Sequence, residues 1–157
     1  MKRSAGILGY CIHEGKIKVF LVHPGGPYFR KKDFGVWTIP KGEFEDEDPL
    51  DCAKREFREE TGMEPPSKLT YLGEITYSSG SKTVKCWAGE LEYRDNVDIK
   101  SNTFEMEWPP GSGKREIFPE VDKGSFVTIP EAKRLLHKDQ SKFLDALEKL
   151  IDRLQSK

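Results

Sequence analysis

The stretch that most constrains this chain runs from Gly42 to Met63, where a glycine loop leads into a short helix with three glutamates on one side. Glu56, Glu59 and Glu60 stand at i, i+3 and i+4, so their side chains meet on one helical face. Carboxylates gathered that closely repel one another. A helix gains nothing by collecting them unless something positive sits among them, and a hard divalent cation takes oxygen ligands. The flanks agree with a helix. Asp48 suits the N-cap and Pro49 the first helical position, with Asp51 three residues past the cap. Gly62 is placed to end the helix in a left-handed conformation. Leu50, Ala53 and Phe57 form an apolar stripe roughly 100° from the carboxylates, at 3.6 residues per turn. One face should therefore pack on a core while an adjacent face offers carboxylates to a cleft. Arg55, four residues before Glu59, can hold that carboxylate in place. A lone pair of spaced glutamates would read as a solvated face. The glycine loop, the Arg-Glu and Glu-Glu pairs and the closing glycine together favour a site.

This segment resembles the Nudix box, whose pattern is Gly, five residues, Glu, seven residues, then Arg-Glu-hydrophobic-x-Glu-Glu-x-Gly-hydrophobic. Gly42, Arg55, Glu56, Glu59, Glu60 and Gly62 match it, while Phe57 and Met63 fill positions that are usually aliphatic. Counting back from Arg55 places the first glutamate at Glu47, which leaves the loop one residue short, and Glu45 or Asp48 could serve instead. The run from Trp37 to Gly42 is similar to the strand that enters the box. Residues 4–8, 22–27, 104–110 and 118–122 resemble a bacterial subfamily described as nucleoside triphosphate pyrophosphohydrolases. The likeness spans nearly the whole chain. It implies an α/β fold, the Nudix α/β/α sandwich with a central mixed β-sheet, as a single domain over residues 1–157.

The resemblance also implies chemistry: hydrolysis of a nucleoside polyphosphate within its pyrophosphate, with water as nucleophile. Divalent ions would reverse the local charge and acidify water. Glu56, Glu59 and Glu60 are the expected ligands, for Mg²⁺ first and Mn²⁺ as the alternative, and one of them could take the water's proton. The Gly42 carbonyl is a further ligand by resemblance. Arg55 would orient Glu59. Glu120 is a second choice of ligand or base, against the plain reading of a surface glutamate beside a turn. Lys41 could contact phosphate. Arg30, Lys31 and Lys32, in a glycine-proline loop, could attract a polyphosphate tail, although such charge runs are commonly just solvated. Tyr28, Phe29 and Trp108 could stack on a base; Trp37 reads as structural. His23 has no partner that suggests catalysis, and His137 is expected at a helix C-terminus. Dinucleoside polyphosphates lead as substrate class, because the run from Trp37 to Gly42 also resembles their hydrolases, with nucleoside triphosphates next. The competing reading is a non-catalytic nucleotide-binding module on the same scaffold. A calcium-binding loop at residues 46–48 fails, because Leu50 and Asp51 fill the fifth and sixth places where an EF-hand needs an oxygen ligand and a glycine.

Composition narrows the class. The chain is 36% hydrophobic and 34% charged with net charge −1, which gives no reason to expect duplex nucleic acid or membrane as a partner. Three widely spaced cysteines, Cys11, Cys52 and Cys86, make no disulfide framework and point to a cytoplasmic, reducing setting. His13 and Glu14 interrupt the first apolar patch too soon for a signal peptide, and no run is long enough to span a membrane. Oligomeric state is left open.

Along the chain, residues 4–12 and 16–23 predict a hairpin and 36–39 a short strand into the box. Residues 69–77 and 83–91 predict two antiparallel strands turned by Ser78-Ser79-Gly80-Ser81, followed by a polar connection over 93–102. Alternation predicts a half-buried strand over 103–108 and a short strand over 125–128. Pro130 opens a helix, and a last helix over 139–154 carries Phe143, Leu144, Leu147, Leu150, Ile151 and Leu154 as its stripe.

Overall fold

The fold is that of a computed structural model, which describes residues 1–156. Its first element explains the architecture. Strand β1 (Lys2–His13) is buried without a break from Ser4 to Cys11. A continuous apolar run of that kind needs cover on both faces. It pairs antiparallel with β2 (Lys16–Pro24) through a two-residue turn in which Glu14 (φ 52°) and Gly15 (φ 77°) are both left-handed, the geometry that suits strand twist. At its other end β1 pairs antiparallel with the three-residue β3 (Lys41–Glu43) and parallel with β5 (Lys82–Glu90). β4 (Thr70–Thr76) lies antiparallel outside β5, and β8 (Val121–Thr128) lies antiparallel outside β2. The result is a mixed six-stranded sheet in the order β4-β5-β1-β2-β8, with β3 on β1.

Helices cover both faces. On one, α1 (Pro49–Thr61) packs Cys52, Ala53 and Phe57 against Ala5, Ile7, Phe20 and Val22. On the other, α3 (Lys142–Gln155) packs Phe143, Leu144, Leu147, Leu150 and Ile151 against a cluster that holds Leu8, Leu21, Val84 and Cys86. A short α2 (Ile129–Leu135) carries Pro130 in its first turn and a capping box between Thr128 and Glu131. Outside the sheet, β6 (Thr103–Glu107) and β7 (Arg115–Pro119) form a separate two-stranded ribbon. This is the expected α/β/α arrangement.

Several expectations need correction. Residues 36–39 are not a strand. They form a strap with single bridges, Val22 to Thr38 and Trp37 to Leu136, and the strand into the box is β3 instead. Pro40 has no N–H to continue a ladder, and the Ile39 N–H goes to the side chain of buried Gln140 (3.0 Å). β7 was not expected, because Arg-Glu-Ile-Phe-Pro carries one buried residue, Phe118. β8 begins at Val121 rather than 125. The last helix begins at Lys142 after a 3-10 turn (Lys138–Ser141), and Leu154 is exposed rather than part of the buried stripe. His137 does not serve a helix C-terminus. Its Nδ1 accepts from the Asp139 N–H (3.2 Å) and so caps that turn, while the ring stacks on Tyr77.

Candidate active site

Helix α1 has the ends its sequence predicts. The Asp48 carboxylate accepts from the Asp51 N–H (3.1 Å), Pro49 opens the first turn, and Gly62 closes the helix at φ 76° with its N–H on the Arg58 carbonyl. These caps set the register in which Glu56, Glu59 and Glu60 face away from the core. Of the three candidates for the loop glutamate, Glu47 takes the place. It accepts two hydrogen bonds from the Arg55 fork, 3.0 Å from Nε and 2.8 Å from Nη2, so the loop reaches despite its missing residue. Asp48 is occupied as the cap, and the backbone carbonyl of Glu45 accepts from Arg3. The remaining Arg55 nitrogen, Nη1, donates to Glu59 (2.9 Å) and Glu56 (3.0 Å). One guanidinium thereby fixes three carboxylates. The Arg55 hydrogen bonds hold the Glu47 carboxyl below the usual range.

Gly42 lies against Glu56 so closely that a Cβ there would collide with the Glu56 carboxyl group. Its carbonyl accepts from the Cys52 thiol at 3.5 Å. Glu60 is deeper. The Lys41 N–H donates to it at 3.4 Å, yet burial pushes its carboxyl up to about 8, with Glu56 and Glu120 adding to the rise and Lys41 opposing it. Burial likewise raises Glu56; Arg55 counters it, and Glu59 and Glu120 add to it.

Gly42, Glu56, Glu59, Glu60 and Glu120 line one cleft of ≈ 560 Å³, together with Ser4, Lys41, Glu43, Lys82, Asn102 and Thr103, while Arg55 and Glu47 lie outside this lining. Glu120 enters it from the junction of β7 and β8. Lys82, Asn102, Thr103 and Ser4 were not singled out in the sequence. Lys82 arrives because β5 runs parallel to β1 in the register Lys2 to Lys82. Asn102 arrives because its N–H donates to the Glu59 carbonyl (2.8 Å) at the open end of α1. Neither pairing leaves a local pattern.

Arg30, Lys31, Lys32, Tyr28 and Phe29 lie outside the lining of this cleft, on the loop that follows β2. Tyr28 meets Trp108 of the ribbon edge-on at 5.3 Å, and the Lys32 ammonium sits over Phe29. Trp37 is buried, with its indole N–H on Asp33 (3.2 Å). His23, which has no partner in the sequence, is fully buried and has two: Asp122 and the Lys32 carbonyl.

Among the described residues no three His, Cys, Asp or Glu side chains form a ready-made metal cage. Arg55 engages the Glu56 and Glu59 carboxylates. The donor set nevertheless fits a hard cation. Glu56 and Glu60 are raised by burial and by their neighbours' charge, and a divalent ion would relieve both costs.

The family model for the NUDIX domain matches residues 2–147. The chain belongs to the Nudix family. Among solved structures, a Caenorhabditis elegans Ap4A hydrolase in a binary complex is similar at 21% identity with TM-score 0.68, covering 97% of this chain and 98% of that one. The NUDIX domain of Shewanella oneidensis NrtR, crystallised with ADP ribose, is similar at 16% identity with TM-score 0.65, covering 94% and 87%. A MutT/nudix family protein from Enterococcus faecalis follows at 14% identity with TM-score 0.64, covering 96% and 62%. Likenesses at these identities establish the Nudix fold. No curated protein matches the chain.

Proposed function

We propose that this Nudix protein is a metal-dependent hydrolase that cleaves the pyrophosphate linkage of a nucleoside polyphosphate by attack of water at phosphorus. Dinucleoside polyphosphates are the first substrate class and nucleoside triphosphates the second. The observation that carries the reading is the convergence of Glu56, Glu59, Glu60 and Glu120 on one cleft that also holds Lys41 and Lys82. A store of buried carboxylates would repel a polyphosphate on its own. Glu56, Glu59 and Glu60, with the Gly42 carbonyl, would hold Mg²⁺ or Mn²⁺, which supplies charge neutralisation for the phosphates and acidifies water.

The chain's own groups do the rest. Arg55 keeps Glu56 and Glu59 in place, and Glu47 keeps Arg55 in place. Lys41 and Lys82 offer cationic contacts to phosphate oxygens at the cleft. Glu120, which stands outside the three expected ligands, is the carboxylate at the cleft placed to take the water's proton, with one of Glu56, Glu59 and Glu60 as the alternative base. Tyr28, Arg30 and Lys32, on the loop beyond Glu120, would meet parts of the substrate that extend past the scissile linkage. Three buried unpaired cysteines favour action in the cytoplasm, and no helix among the described residues is long and apolar enough to cross a membrane.

One observation favours the second reading, a non-catalytic nucleotide-binding module: Arg55 engages two of the expected ligands directly. Incubation with Mg²⁺ and a panel of dinucleoside polyphosphates, nucleoside triphosphates and nucleotide sugars, beside a Glu59→Gln variant, separates the two. Turnover of one class that is lost in the variant supports the hydrolase. Nucleotide binding by calorimetry without turnover, with either metal, supports the module.

A further inference from the structure

We propose that His23 is a positioning residue that aims Glu120 into the carboxylate cleft. The assignment rests on the hydrolase reading above. Among the described residues Glu120 makes no side-chain hydrogen bond, so its direction depends on the backbone that carries it. That backbone is irregular at this point. In the β2–β8 ladder His23 pairs with Lys123 but Pro24 pairs with Val121, which leaves Asp122 as an extra, unpaired residue. A bulge of this kind bends the strand and re-aims its neighbours. The chain then has to be held in the bulged form.

It is held from two sides. On one, the Glu120 N–H donates to the Asn102 carbonyl (2.8 Å), and the Val121 N–H donates to Ser101 Oγ (3.0 Å). On the other, the Gly25 N–H donates to the Glu120 carbonyl (2.9 Å), and a Cβ at Gly25 would collide with the Pro119 carbonyl. His23 is the side chain that ties the bulge itself. Its Nδ1 lies 2.7 Å from Asp122 Oδ1, and its Nε2 lies 2.6 Å from the Lys32 carbonyl. Both ring nitrogens therefore lie within hydrogen-bond distance of an oxygen, one on each side of the ring. The ring is fully buried and edge-on to Trp37, whose indole N–H is fixed on Asp33. A packed imidazole with both nitrogens engaged cannot pivot. It therefore fixes Asp122 two residues from Glu120 and anchors the basic loop at Lys32 in the same stroke.

The test is a double-mutant cycle between His23 and Glu120, read with the substrate that the panel identifies. His23→Leu should lower kcat roughly 10–100-fold, the range for loss of a residue that orients a catalytic group, with KM little changed. In a Glu120→Gln background the same substitution should cost nothing further, because the group it aims is gone. His23→Gln, which keeps one bond to Asp122, should fall between, and it replaces His23→Leu if that variant does not fold. Additive losses, or a lower Tm with unchanged kcat, would overturn the proposal. Amide hydrogen exchange runs in parallel and needs no activity. The Gly25 and Glu120 amides should lose protection in the His23 variant while β1 amides keep theirs, and unchanged protection refutes the clamp. A wild-type protein that turns over nothing defeats the hydrolase reading alone, and the exchange result still judges His23.

Discussion

Gly42 shows how much one position can carry without a side chain. A Cβ there would displace the Glu56 carboxyl, which is the movable end of a flexible side chain, rather than any backbone. On the proposed ligand role of Glu56, Gly42→Ala should therefore fold with little change in Tm but lose roughly 10–100-fold in turnover, the range for disturbing a group that holds a metal ligand in place. Parallel thermal melts and steady-state rates check this, and intact activity would show that Glu56 is not where the chemistry happens. Glu60 gives a pH signature. Burial lifts its carboxyl from the ordinary glutamate value of 4.5 to about 8 on folding. A raised acid stabilises the fold fully below the unfolded value, and that contribution is lost as pH rises through about 8. In EDTA, stability from urea melts should fall between pH 5 and pH 9, and fall less in Glu60→Gln, whose amide never ionises. Equal slopes would show that Glu60 is not so buried in solution. The i, i+3, i+4 spacing placed these glutamates on one face; the depth of Glu60 came from the Lys41 backbone and the walls around it.

At the scale of elements, α1 was legible because its signals are local. The cap, the proline, the apolar stripe and the terminal glycine all lie within one helix length. Asp48→Ala should destabilise the protein by about 1 kcal/mol through the lost N-cap bond. The strap over 36–39 was misread for the opposite reason. It looks like a strand because Val36, Trp37 and Ile39 are apolar, but its hydrogen bonds go to one residue of β2, the end of α2 and the amide of Gln140. Gln140 donates in turn to the Tyr77 hydroxyl (3.1 Å), so one buried amide joins the strap to the end of β4. Gln140→Leu would leave the Ile39 N–H without its acceptor and should cost about 1–3 kcal/mol, measurable in urea denaturation. No change would mean the strap finds another acceptor. The β6–β7 ribbon was half visible, since β6 alternates and β7 does not.

For the whole molecule, the cleft stores unfavourable electrostatics that a cation would relieve. Titration with Mg²⁺ or Mn²⁺ should raise the Tm. At a free metal concentration about 100 times Kd the gain is about 2.7 kcal/mol, and each kcal/mol moves Tm by about 2–4 °C for a domain of this size. Glu59→Gln should blunt the shift, and a wild-type Tm indifferent to either ion would argue for the binding-module reading. The division between sequence and fold follows from range. By itself the sequence determined helix α1, its caps, its carboxylate face, the Arg55–Glu59 pair and the β1–β2 hairpin, because each is fixed by contacts within a few residues. Tertiary structure alone decided that Glu47 meets Arg55 across a shortened loop and that Lys82 and Asn102 join the cleft. It also decided that a buried histidine with no sequence partner grips Asp122. Those meetings depend on which strands pair and in what register, and strand pairing joins residues whose separation along the chain carries no period to read.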